Sequence, residues 1–247
     1  MKVIYIMWLR QLKRYWRSKA RMLGSLGQPL LFLFALGFGF GSVFQKAGQG
    51  NYFEFLAPGI IAMSILFNAM FNGIEVIWDR QFGFLKETLV APVSRFKIMA
   101  GKTLGGATVA FIQGIIVLVI AVAFGFKLQL AAIPLTLFFM FLIAILFTAI
   151  GIAIASKMED MHAFPLIMNF ILMPLFFLSG ALFPLDNLPK AMNIIVKVNP
   201  LSYGIDGVRG ALTGASSMGI GYDMIVLLSL IAVSGILGSW LFSKVEV

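Results

Sequence analysis

Cysteine is absent from the 247 residues, so neither a disulfide nor a thiolate metal site can contribute to fold or chemistry. Histidine occurs once, as His162 beside Glu159 and Asp160. With no second histidine to complete a site, it reads as an interfacial hydrogen-bonding residue, and no metal site is expected. Charge is scarce as well: 12% of residues are charged and 60% hydrophobic, too little polar surface to cover a soluble globule. No carboxylate pair, Ser-His arrangement or ligand cluster falls at one depth of the chain, and no catalytic residue is expected. A nucleotide loop is missing too. The string Phe96 to Thr103 ends in Gly-Lys-Thr, but Phe96 stands where the first glycine must be, and no buried strand precedes it.

What the chain has instead is long apolar runs. A hydrocarbon core about 30 Å thick needs roughly 20 helical residues. Met22 to Phe44, Phe55 to Trp78, Thr103 to Phe126, Leu128 to Ser156, Ala163 to Leu185 and Met224 to Ser243 meet that length, with Glu75 the one charged residue inside them. Runs such as Ile112 to Phe124 are apolar throughout but for Gln113 and do not alternate, which excludes the alternating ten-residue strands of a membrane barrel. The expected fold is an all-α integral membrane protein of six transmembrane helices. The first run is too long for a signal-peptide core and reads as a retained span.

A net charge of +9 raises a nucleic-acid reading, which the positions of the cations remove. Lys and Arg accumulate in short cytoplasmic segments of membrane proteins. With a cytoplasmic N-terminus, 14 of the 19 fall inside and 5 outside, so a multi-pass protein of the cell membrane with both termini cytoplasmic is expected. Residues 2 to 20 are basic and aromatic at helical spacing. Arg10, Lys13, Arg14, Arg17 and Arg21 form one stripe, and Tyr5, Trp8, Leu12 and Tyr15 another. Such a helix suits the headgroup layer, rings inward and cations toward lipid phosphates, or serves as a topogenic anchor. Gln28-Pro29 marks either a kink or the point where a surface helix becomes a crossing one.

One membrane domain, 1–247, is the simplest division: an interfacial helix (1–21), spans one to five (22–185), an external loop (186–223), and span six with its tail (224–247). Asn68, Asn72, Glu75 and Asp79 recur at steps of four, three and four, and therefore share a helix face. Unpaired polar groups are costly in hydrocarbon, so that face should look at protein or water. Either it lines a translocation path or subunit contact, or its Asn residues bond between helices while Glu75 reaches the interface. Asn169 and Gln113 read as inter-helix hydrogen-bonding residues, with Asn169 a further candidate for the path. Gly101 and Gly105 permit close helix approach at the start of span three, and Lys102 between them is placed at the interface.

Leu172, Leu175, Leu178-Ser179-Gly180-Ala181, Leu188-Pro189, and Pro200-Leu201-Ser202-Tyr203 with Arg209 six residues on together resemble the signature of the type-2 ABC exporter permeases. Asp79-Arg80, Gly83-Phe84, Glu87, Leu89 and Ala91-Pro92-Val93-Ser94-Arg95 resemble the drug and antibiotic-resistance branch typified by the daunorubicin exporter permease. Gln81 departs from the acidic residue expected there. The resemblance implies a permease that pairs with a second copy or a paralogue and with separate ATP-binding subunits. Those subunits hold ATP and Mg, leaving this chain with no cofactor and no ATPase site. It also implies a coupling helix over Arg80 to Pro92, with Asp79, Thr88 and Arg95 in the same segment. The external loop is then expected to form short re-entrant helices broken at Pro184, Pro189 and Pro200. The function implied is export of amphiphilic or hydrophobic compounds, drug-like or lipid-like. Export of a lipid-linked polysaccharide and secondary transport are the alternatives, the latter thinly supported by Glu75 alone.

Overall fold

In the computed structural model, residues 2–46, 51–84, 87–88, 93–184 and 189–243 are described, and they are helical without strands. Helix α1 covers Lys2–Arg17, and Ser18 alone separates it from α2, Lys19–Gly39. A bend at Phe40 leads into α3, Gly41–Lys46. The change of helix therefore comes at Ser18, and Pro29 lies within an unbroken α2. Helix α4, Tyr52–Phe71, starts where the Asn51 side chain accepts from the Phe53 amide at 3.0 Å, an N-cap. Asn72 and Gly73 divide it from α5, Ile74–Gln81.

Helix α6, Arg95–Ala123, runs unbroken through Gly101-Lys102-Thr103, so that stretch forms no phosphate loop. A 3-10 turn at Leu130–Ala132 opens α7, Ile133–Ala155. Then come α8, Ala163–Phe177; α9, Lys190–Val198; α10, Pro200–Thr213; and α11, Ile220–Ser243.

Among the described residues, five segments are long and apolar enough to cross a membrane: Lys19–Gly39, Tyr52–Gln81, Arg95–Ala123, Leu130–Ala155 and Ile220–Phe242. The sixth expected span is shorter. Helix α8 has 15 residues, about 22 Å at 1.5 Å each against a core of about 30 Å. It carries Pro174 in its last turn and gives way to a buried turn in which Gly180 takes φ +77°, a conformation that favours glycine.

Helix α4 is the centre of the bundle, packed against α2, α6, α7, α8 and α10. Of the most apolar window of Tyr52–Gln81, 78% of the residues are buried, against 22% for α2 and 17% for α11, which leaves the latter two at the periphery. Helix α1 lies along α6. The approach is close because Gly101 faces Met7 and Ile4, and Gly105 faces Gln11 and Trp8. In lipid, helices associate through such small-residue packing and through polar bonds.

A Cβ on Gly105 would sit 2.6 Å from Gln11 Cγ. Gly105→Leu should destabilise the protein by about 1–3 kcal/mol through overpacking. Gly235→Leu, where a Cβ meets nothing within 4 Å, should change little. Thermal unfolding in detergent separates the two, and equal effects would remove the packing argument.

Candidate functional site

Cations of α1 and of the start of α2 meet polar residues from the end of α4 into α5. Arg10 donates to Asp79 through both terminal nitrogens, at 2.7 and 2.9 Å. Arg21 donates to Glu75 at 3.1 Å and to Asn72 Oδ1 at 3.1 Å, and Arg14 lies 3.8 Å from Glu75. Asn72 in turn donates its amide to the Gly106 carbonyl of α6 at 3.0 Å. Asn68 donates back to Ser64 O at 2.9 Å. Of the α1 cations, Arg10 and Arg14 therefore face carboxylates of the same chain, while Lys13 and Arg17 are exposed.

Lys102 corrects an expectation. It is not interfacial but 1% exposed, and its ammonium donates to Asp79, itself 3% exposed. Asp79 thus joins α1, α5 and α6 through one carboxylate. Its charge also holds the Arg10 guanidinium more firmly protonated than an isolated arginine, the hydrogen bond being the largest cause. Arg10 lies 3.6 Å over the Phe84 ring and Arg14 4.8 Å over Trp78, so the cations also pack on aromatic faces. Deeper along α6, Gln113 donates to Tyr15 Oη at 2.6 Å and to Ser25 Oγ at 2.8 Å, the inter-helix bonding expected of it. Burial raises the Tyr15 phenol to about 12.

The segment after α5 is anchored from the other side. Arg80 donates to Ser156 O at 2.8 Å and to Met158 O at 3.4 Å, at the carbonyl end of α7, where a cation is favourable. Gln81 donates to Glu159 O at 3.0 Å, a role that needs no charge. Gly83 follows at φ +77°. Thr88 bonds back to Phe84 O at 2.8 Å, and Glu87 is exposed. Arg95 opens α6, while Pro92 lies outside the described residues.

On the opposite end, Pro189 caps α9 and Pro200 occupies the first turn of α10, where its missing amide costs nothing. Pro184 precedes the undescribed residues 185–188. Asn199 accepts from the Leu201 amide at 3.0 Å and donates to Leu175 O at 2.7 Å. Tyr203 donates to Lys197 O at 2.5 Å. Helix α10 is almost wholly buried, and its Arg209, 6% exposed, reaches Gly180 O at 2.9 Å while lying 4.1 Å over the Phe55 ring. Burial lowers that guanidinium to about 10, so it stays cationic at neutral pH.

Of the candidate path residues, Asn72 and Glu75 are joined by Arg21 and Asp79 is held by Arg10, whereas Asn68 bonds back within α4, and Asn169 is exposed on α8 and makes no hydrogen bond among the described residues. Sequence reasoning missed the pairing across α1 and α5. The signal was present: Arg10 and Arg14 are four apart, Glu75 and Asp79 are four apart, and the pairs match in opposite order. It also missed Asp206, whose carboxylate accepts from the Ser217 and Met218 amides at 2.9 and 2.8 Å and orders the turn before α11.

Asp79→Asn leaves Lys102 buried without its counter-charge and should cost about 3–5 kcal/mol. Lys102→Met should cost less, because Arg10 still holds Asp79. Adding Lys102→Met to Asp79→Asn should recover part of the loss. Thermal unfolding of the four proteins checks this cycle, and equal single-variant losses would contradict it.

A family model described as ABC-2 type transporter matches residues 2–213. The chain is 30% identical over 251 residues to the putative transport permease ycf38 of Cyanophora paradoxa, covering 93% of this chain and 83% of that protein. It is 30% identical over 212 residues to nodulation protein J of Rhizobium leguminosarum bv. trifolii, covering 85% and 78%. A ycf38 permease from Pyropia yezoensis is 31% identical over 215 residues, covering 81% and 70%.

Proposed function

The chain belongs to the ABC-2 type transporter family, and from that premise we propose that it is the permease subunit of an ATP-driven exporter of amphiphilic or hydrophobic compounds. Separate ATP-binding subunits would hold ATP and Mg, and a second copy or a paralogue would complete the pathway, leaving this chain as a conduit without ATPase chemistry of its own.

The observation that carries this reading is the double anchoring of the elbow after α5. Asp79 and Phe84 tie it to α1, while Arg80 and Gln81 tie it to the end of α7. A push on exposed Glu87 would therefore reach three helices as one displacement, the kind of rigid-body input that reorients spans. Secondary transport is less well supported, because Glu75 is committed to Arg21 and Arg14.

The amphiphile assignment draws on a cavity of about 200 Å³ between α2 and α4. Arg21, Gln28 and Asn68 give it polar walls, and Met63, Phe67 and Phe71 give it apolar ones. Such mixed walls suit a molecule with a polar head and a greasy body. Export of a lipid-linked polysaccharide would call for a wider and more polar route. Asn169, exposed on the fifth apolar helix, is assigned to the path or the contact with the second copy.

In vesicles holding permease and ATPase, Gly83→Val and Glu87→Ala should leave ATP hydrolysis standing while transport falls at least tenfold. A β-branched residue at a left-handed position costs roughly 1–2 kcal/mol and would misdirect the elbow. Wild-type export with both changed would discard the coupling role. Because the chain has no cysteine, topology can be read without background. Ser18→Cys should resist impermeant thiol reagents in intact cells and Lys127→Cys should react, the reverse pattern placing the N-terminus outside.

A further inference from the structure

A cavity of about 610 Å³ opens between α1 and the start of the elbow. One wall is cationic, formed by Lys13, Arg14 and Arg17 beside Arg10, and the other is apolar, formed by Ile6, Trp78 and Phe82 among others. The charges do not balance. Arg10 and Lys102 share Asp79, and Arg14 and Arg21 share Glu75, while Lys13 and Arg17 have no carboxylate partner among the described residues. Asp79 is the one acidic residue lining the cavity, and it is already doubly matched.

We infer that this cavity binds the phosphate of an anionic phospholipid, with Lys13 and Arg17 as its principal cationic contacts and the apolar wall receiving the glycerol and upper acyl region. A soluble anion would use only the cationic wall and would leave most of the volume empty. The apolar wall is open to solvent: Phe82 is 78% and Ile6 60% exposed. Trp16 on the same helix is 68% exposed. Exposed aromatics interleaved with cations are the chemistry of the headgroup layer rather than of an acidic protein surface.

A lipid seated there would touch both α1 and the elbow, and so would bear on the coupling proposed above. Placing it in the inner leaflet rests on the cytoplasmic N-terminus of that proposal. The binding itself does not depend on topology, on the ATPase or on transport.

Purified permease is incubated with an equal mixture of phosphatidylglycerol and phosphatidylcholine in detergent, and retained lipid is counted by native mass spectrometry. The wild-type chain should prefer phosphatidylglycerol. Lys13→Gln and Arg17→Gln should each lower its retention about fivefold, the expected weight of one cation at an anionic headgroup. Lys97→Gln with Lys157→Gln removes two charges outside the cavity, as many as Lys13→Gln and Arg17→Gln together, and should leave retention unchanged, with the folded state of each variant checked by its unfolding temperature. Equal retention of both lipids, or equal loss with the control pair, overturns the site. Displacement of the lipid by millimolar inorganic phosphate or glycerol 1-phosphate assigns the cavity to a soluble anion instead. Loss of ATPase co-purification in Lys13→Gln/Arg17→Gln with lipid retention intact assigns it to a protein surface. An extracellular N-terminus in the thiol-labelling experiment would overturn the leaflet assignment and leave the binding result standing.

Discussion

Asp79 is the point on which the α1–α5–α6 end of the bundle depends. One carboxylate accepts from Arg10 of α1 and from the buried ammonium of Lys102 in α6, and its own backbone belongs to α5. A buried charge in a medium of low dielectric is tolerable only when paired and hydrogen-bonded. Three helices are therefore obliged to meet at one place, and a bidentate guanidinium adds direction to that obligation. The site tells little about net stability, since a well-packed apolar replacement could hold the helices as firmly. What it does specify is register: α1 can slide along α6 only by separating a matched set of charges.

The rest of the packing makes the same arrangement affordable. Between helices in lipid there is no gain from burying leucine against leucine, so association falls to close backbone approach and polar bonds. Both occur together along α1 and α6. Gly101 and Gly105 let the backbones close up, and Gln113 then reaches Tyr15 and Ser25. The Asn72 amide bridges α4 to α6 at the Gly106 carbonyl, next to the Glu75 and Asp79 contacts. At the other end, Arg209 uses the same logic with neutral partners, tying α10 to the turn after α8 and to the start of α4.

Much of this was legible in the residues themselves. Span positions follow from hydrocarbon thickness, and the close approach at Gly101 and Gly105 follows from small-residue spacing. That Asn72, Glu75 and Asp79 face protein follows from helix period and the cost of unpaired polar groups in hydrocarbon. The length of α8 was not legible, because hydropathy continues through Leu178 to Leu182 although the helix ends at Phe177, where the chain turns at Gly180. Lys102 was misplaced for a related reason. A lysine next to a glycine at the start of an apolar run looks interfacial, and only the course of α5 beside it supplies the carboxylate that permits burial. Sequence period fixes which residues share a face, but not which face another helix covers.

That limit also explains the fate of the α1 cations. Read along one helix, a basic stripe has the lipid surface as its natural partner. Read against α5, two of its members already have carboxylates. The division of labour then runs by position: Arg10 and Arg14, joined by Arg21 of α2, turn toward Asp79 and Glu75, while Lys13 and Arg17 remain on the open flank with Trp16 nearby in sequence. A helix that is half locked to the bundle and half available to its surroundings is suited to pass on a change at one side to the other. If the elbow is displaced, Asp79 and Phe84 must carry α1 with them or break a paired, ring-packed guanidinium, and the former is the lower-energy course.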